Sequence, residues 1–170
     1  INWQNLYNVN RASYATITDA DGITGNTVSG LRSRYIIEER VINTRRFNAN
    51  TVLNTKFGDR IDFTAGASYQ IQDNHYFKRV DDLLGGEFYV NVNQFAERDF
   101  PVDNVANQFD VDKPNRILRK GDQFGYDYNI NISRAAAWAQ GVFKLNRFDF
   151  FLAGTVSQTK FYRKGNVRNG

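Results

Sequence analysis

Cysteine and methionine are absent from this 170-residue sequence, histidine occurs once, at His75, and proline only twice. Without cysteine there is no disulfide framework, no thiol nucleophile and no cysteine-ligated metal. One histidine gives no basis for a histidine metal centre or a self-contained Ser-His-Asp triad. No run of 18 apolar residues occurs, so the sequence encodes no transmembrane helix. The chain opens on Ile1-Asn2-Trp3-Gln4 with no basic or apolar leader and closes on Asn169-Gly170. It reads as an internal piece of something longer, and as no enzyme.

The net charge of +4 would permit an anionic partner. The 22 basic residues are interleaved with 18 acidic ones, however. The densest basic group, Arg32, Arg34, Arg40, Arg45 and Arg46, comes with no recognition module, so nucleic acid is not an expected partner.

What the sequence does have is aromatics, at 15%, and 20 asparagines, arranged in strict alternation. From Ile61 to Ile71 the odd positions are Ile61, Phe63, Ala65, Ala67, Tyr69 and Ile71, and the even ones are Asp62, Thr64, Gly66, Ser68 and Gln70. Period two is the signature of a strand with one apolar and one polar face. The segment before it alternates likewise. Phe47, Ala49, Thr51, Leu53, Thr55 and Phe57 oppose Arg46, Asn48, Asn50, Asn54 and Lys56, with Val52 as the exception. Gly58-Asp59-Arg60 between the two runs predicts a tight hairpin turn. A second hairpin turns at Asn146-Arg147, flanked by Ala139, Gly141, Phe143 and Leu145 on one side and by Phe148, Phe150, Leu152, Gly154 and Val156 on the other.

Farther upstream, Phe124, Tyr126, Tyr128, Ile130 and Ile132 alternate with the opposite parity to Ala139–Leu145. Placing both apolar sets on one face requires an extra residue, so a β-bulge is expected near Arg134-Ala135-Ala136-Ala137. The organisation is then an outer loop over 1–33, a hairpin over 34–77, an outer loop over 78–122, a hairpin over 123–164, and the start of a further loop over 165–170. Both long loops are expected to be irregular. Short turns on one side and long loops on the other describe an outer-membrane β-barrel. Strand length agrees: Ile61–Phe77 spans about 56 Å at roughly 3.3 Å per residue, far beyond the usual globular strand. The fold class is therefore all-β, an antiparallel transmembrane barrel segment of four long strands.

In this reading Phe47, Leu53, Phe57, Ile61, Phe63, Ala65, Tyr69, Phe148, Phe150 and Leu152 face lipid. Arg46, Asn48, Asn50, Asp62, Thr64, Ser68 and Gln70 face the lumen. Aromatics near the turns, such as Phe57, Phe148 and Phe150, suit an interfacial girdle. His75, beside Tyr76 and Phe77, is a rim residue. The loop acids Asp81, Asp82, Glu87, Asp99, Asp103, Asp110 and Asp112 could hold a calcium ion, but none has EF-hand spacing and solvated acids are the default. Asp19-Ala20-Asp21-Gly22 with Thr24-Gly25-Asn26 is either a calcium turn or a tight polar turn. Gly85-Gly86 and Gly121 lack the strand–loop–helix context of a phosphate cradle. Asn2–Asn8 is expected to form a helical turn or two, with Trp3, Leu6 and Tyr7 on one side. No cofactor is expected.

Several stretches resemble the barrel of TonB-dependent transporters of the Bacteroidota: Asp81-Asp82-Leu83-Leu84-Gly85-Gly86, Gln94-Phe95-Ala96-Glu97-Arg98-Asp99, Gly121-Asp122-Gln123-Phe124-Gly125-Tyr126-Asp127-Tyr128, Trp138-Ala139-Gln140, and Phe161-Tyr162-Arg163-Lys164-Gly165-Asn166-Val167-Arg168-Asn169-Gly170. The opening Ile1-Asn2-Trp3-Gln4-Asn5-Leu6-Tyr7-Asn8-Val9-Asn10 is similar to an outer loop of the same barrels. The resemblance implies a middle portion of a 22-stranded barrel in the outer membrane of a Gram-negative bacterium, importing a scarce nutrient. It implies as partners outer-membrane lipid, the remaining strands and plug of the same transporter, the inner-membrane TonB complex acting through that plug, and a surface lipoprotein lid. No plug domain, TonB-contacting segment or final aromatic-ended strand is found in these residues. Two rival readings stand beside it. Three copies could close a trimeric 12-strand pore, or the chain could be a soluble glycan-binding β-sandwich, which requires short strands.

Overall fold

The computed structural model describes residues 1–100 and 104–168. Strand accounts for 61% of the chain, in antiparallel sheets with few helices. The order is α1 (Trp3–Ala12), β1 (Tyr14–Ile17), a 3-10 turn (Ala20–Gly22), β2 (Val28–Leu31), β3 (Ile37–Phe57), β4 (Ile61–Asp82), β5 (Tyr89–Val90), α2 (Gln94–Asp99), α3 (Asn104–Asn107), β6 (Ile117–Leu118), β7 (Gln123–Leu145) and β8 (Phe148–Gly165). β1 pairs with β2 and β5 with β6, while the long strands form an open sheet in the order β3-β4-β7-β8.

The alternating runs become strands of 21, 22, 23 and 18 residues. Gly58 supplies the positive φ, 59°, that the first turn requires. β4 continues past the expected end at Phe77 because its last turn of residues finds partners on both sides. Lys78 binds Glu38 of β3 at 2.8 Å, Arg79 binds Glu39, and Val80 exchanges backbone bonds with Gly121 and Asp122.

The bulge expected around Arg134–Ala137 does not occur in the pairing of β7 with β4. Tyr128 stacks on Tyr76, ring centroids 5.0 Å apart, and Trp138 covers Gly66. Even-numbered residues of β7 therefore meet even-numbered residues of β4 before and after that stretch, with no net residue inserted. Ile130 and Ile132 thus share a face with Thr64 and Ser68, not with Ala139 and Phe143.

The chain packs as two units. One comprises Ile1–Asn43, His75–Asn129 and Lys164–Gly170, the other Thr44–Asn74 and Ile130–Arg163. The first carries the loops, and they are not irregular. Val80, Tyr89, Leu118 and Phe124 form one buried cluster, and Phe88, Val90 and Val92 form another, flanked by Ile17, Val28 and Ile117. Every buried hydrophobic side chain among the described residues lies in this unit.

Helix α1 exceeds the expected turn or two. Asn2 caps it by accepting from the Asn5 N–H at 3.1 Å, and Arg11 sits in its last turn over the Tyr7 ring. Its one buried residue is Asn10, which makes five hydrogen bonds. Its amide donates to the carbonyls of Tyr35, Leu83 and Leu84 at 2.8, 3.0 and 3.2 Å. Its Oδ1 accepts from the N–H groups of Arg34 and Tyr35 at 2.8 and 3.0 Å. Ser33 adds a bond to the Leu83 carbonyl at 2.7 Å. One polar side chain thereby ties the helix to two separate loop crossings.

Candidate functional site

The second unit has no buried hydrophobic side chain among the described residues, and its strands present two chemically different faces. On the first, Phe57 lies 6.2 Å from Phe63, and Phe143 stacks on Phe150 at 5.2 Å. Phe63, Ala139, Gly141, Phe143, Leu152 and Gly154 line a shallow apolar groove on this side. Phe47, Leu53 and Tyr69 fall on it by parity, and so do Ile61 and Ala65. Ile61, Phe63 and Ala65 are half-buried, while Phe148 is 73% exposed and Leu152 67%. The ten residues expected to face lipid therefore share one surface.

The second face is a hydrogen-bonded ladder. Thr44 donates to Asn74 Oδ1 at 2.8 Å, and Gln72 donates to the same oxygen at 2.9 Å. Gln72 Oε1 in turn accepts from Arg46 at 2.8 Å and from Gln70 at 3.2 Å. Nearer the turn Thr64 donates to Asn54 at 2.9 Å, and Asp62 holds Lys144 at 2.7 Å with Lys56 at 3.6 Å. Of the residues expected on the lumen side, Arg46, Asp62, Thr64 and Gln70 join this network; Asn48, Asn50 and Ser68 are exposed on the same strands. Asn54, Lys56 and Lys144, which alternate on the polar side in the sequence, join it as well, and the sequence reading missed Thr44, Gln72 and Asn74. Simple continuation of the even parity would have found all three.

Trp138 belongs to this second face. A Cβ on residue 66 would stand 2.6 Å from its indole ring, so Gly66 is required for the ring to lie flat on the sheet. Gly66→Ala is expected to cost about 1–3 kcal/mol by overpacking, read as a lower midpoint of fluorescence-detected unfolding in detergent. Combining it with Trp138→Leu should recover part of the loss.

In the loop-bearing unit, His75 is held rather than free. Its Nε2 lies 2.7 Å from Asp127 Oδ1, an oxygen that also accepts from Asn166 at 2.8 Å. Phe77 packs beside the imidazole at 4.7 Å. The loop carboxylates face backbone N–H groups. Asp19 accepts from Gly25, Asp21 from Ile117, Asp82 from Leu84, Glu87 from Leu31 and Asp110 from Asp112, all at 2.7–3.1 Å. Ala20–Gly22 forms a tight 3-10 turn, with Asp19 and Asp21 at φ 50° and 60° in the left-handed region that aspartate tolerates. Asp103 lies outside the described residues. Among the described residues no group of three acidic or histidine side chains stands where it could hold a metal.

Buried Arg32 pairs with the partly exposed Glu97 of α2, bidentate at 2.8 Å and 2.8 Å. The hydrogen bonds from Arg32 hold the Glu97 carboxyl below its ordinary value; partial burial opposes this, and the charges of Arg32 and Arg34 reinforce it. The folded pKa is depressed, so the stabilisation is fully present above the ordinary carboxylate value. It is lost as the pH falls through the folded value below it. Acidification should therefore release α2 before the core melts, seen as early loss of amide protection at residues 94–99. Glu97→Ala, which strands a buried guanidinium, should cost on the order of 3 kcal/mol at neutral pH.

No protein family matches the sequence, and no curated protein matches it.

Proposed function

We propose that this chain is a wall and outer-loop segment of a TonB-dependent outer-membrane transporter that imports a scarce nutrient. The observation that carries the reading is the second unit: long antiparallel strands, one continuous apolar face and no buried apolar side chain. A sheet of this kind has no hydrophobic driving force in water, because nothing covers its apolar side. Lipid supplies the missing cover. The apolar alternation from Ile61 to Ile71 is ten steps long. At about 3.3 Å per step and a tilt near 45° it spans roughly 23 Å, close to the apolar band of about 25 Å in outer-membrane barrels. The polar ladder then lines the inside.

The sequence resemblance supports the transporter family, and with it the outer-membrane location, the separate plug and the TonB complex as partners. The open edges of β3 and β8 favour completion by further strands, because bare edges are not viable at membrane depth. Every residue of β8 is exposed in the chain alone.

Because the chain lacks cysteine, single cysteines can carry spin labels without interference. In lipid, labels at 53, 65 and 69 should relax with dissolved oxygen, and labels at 64, 68 and 70 with a water-soluble nickel chelate. Equal accessibility on both faces would overturn the assignment. The polypeptide carrying these residues should fractionate with the outer membrane; recovery in a soluble fraction would refute the transporter reading.

A further inference from the structure

We infer that the loop-bearing unit is a preformed surface body that folds in water without lipid, while the strand segments of the second unit stay unfolded until lipid covers them. The inference rests on the lipid reading for the second unit alone; the first part stands on its own observations.

The two units draw on different sources of stability. All the buried hydrophobic side chains among the described residues belong to the loop-bearing unit, with Leu118 at 0% and Val80 at 1% exposure. Its polar interior is also bonded internally, apart from Arg32 Nε and Asn107 Oδ1, which find no partner. Asn10 closes five hydrogen bonds, Ser33 bonds Leu83, and Asn91 accepts from the Gly125 N–H at 3.1 Å. Arg32 is paired with Glu97. Such an interior gains its free energy from excluding water, and lipid adds nothing to it. The second unit has the reverse character, since its gain appears only when an apolar solvent meets the face bearing Leu53, Phe63 and Leu152. Free energies of opening differ across a structure in cooperative blocks of this kind. Here the block boundary follows a change of solvent rather than a change of element: β3, β4 and β7 each contribute residues to both blocks.

The consequence is a loop-bearing unit whose order does not depend on the membrane.

Pulse-labelled hydrogen exchange on the full chain tests this. The chain is diluted from denaturant within seconds either into lipid-free buffer or into preformed phospholipid vesicles. Amides of residues 88–92 and 117–118, and those of Arg34 and Tyr35, should be slowed roughly a hundredfold or more in both media. Amides of residues 47–57, 61–71 and 135–156 should be slowed only with vesicles. Asn10→Ala should remove protection in the loop-bearing unit in buffer, and Leu53→Arg should leave that protection intact.

Protection of both units together in buffer would overturn the inference, as would protection of neither until lipid is added. If the loop-bearing unit is protected in buffer but the strand segments are protected in neither medium, the preformed body stands and the lipid reading fails.

Discussion

An arginine in place of Leu53 or Ala65 is expected to cost the inserted sheet about 2–4 kcal/mol near the bilayer midplane. Both positions belong to the odd-numbered face that carries Phe47, Phe57, Ile61, Phe63 and Tyr69. A guanidinium there must be buried in hydrocarbon or must drag water and headgroups inward. The control is Ser68→Arg on the opposite face. Its side chain enters the side that already bears Arg46, Gln70 and Gln72, and its stability should stay within a few tenths of a kcal/mol. Urea unfolding from lipid vesicles reads both effects. In detergent-free water the two kinds of variant should behave alike, because no lipid then distinguishes the faces. Equal cost on both faces in vesicles would contradict the sidedness of the wall.

The second large effect is expected at Asn10. Its replacement by alanine removes five hydrogen bonds at once and takes this partner from the Tyr35 and Leu84 carbonyls and the Arg34 and Tyr35 N–H groups, while the Leu83 carbonyl keeps Ser33 and the Gly86 N–H. A net bond is worth about 1 kcal/mol and an orphaned buried group costs about 1–3 kcal/mol. Even with partial rescue by water the loss should reach about 4 kcal/mol. Asn10→Asp separates donors from acceptors. It keeps the oxygen that receives Arg34 and Tyr35 but turns a carboxylate toward three carbonyls, so it should rescue little. Chemical unfolding followed at α1, through Trp3 fluorescence, measures both. A loss under 1 kcal/mol for either variant would show that the hub is dispensable.

These two residues mark what could be read from the sequence. Leu53 sits in an eleven-residue alternation, and its face follows from local periodicity alone. The same holds for the presence of all four long strands and their two turns, and for the ladder positions that continue the even parity, but not for the face of β7 at Ile130 and Ile132. Asn10 is the opposite case. It sits in a polar helix beside Asn8 and Arg11, and its partners lie 24 to 74 residues away. Nothing local separates it from an exposed asparagine. The loops appeared irregular for the same reason: their order comes from distant contacts such as Val80 with Leu118, which leave no periodic trace.

The misplaced bulge has a different cause. Apolar residues at Tyr126–Ile132 and at Ala139–Phe143 were required to share a face, as they would in one uniform environment. β7 is long enough to cross two. Near the loops its even-numbered face packs Phe124 against Tyr89 and Val80, while near the turn its odd-numbered face carries Phe143 beside Phe150. A continuous strand can change its apolar side simply by passing from one surrounding to another.

Gly66 and Trp138 carry a last consequence. Gly66 is the sole glycine of β4, so the indole fits that strand at one address, as a key fits one lock. Sliding β7 by two residues would preserve every inward and outward direction, and the alternation would tolerate it. It would also bring the ring onto Thr64 or Ser68, where a side chain stands in its way. Alternation chooses the face, and this notch chooses the stagger. In a closed barrel the stagger of each strand pair adds to the total shear, and shear together with strand number sets the diameter. In a barrel closed from this sheet, the missing side chain at Gly66 would be a gauge for the width of the pore.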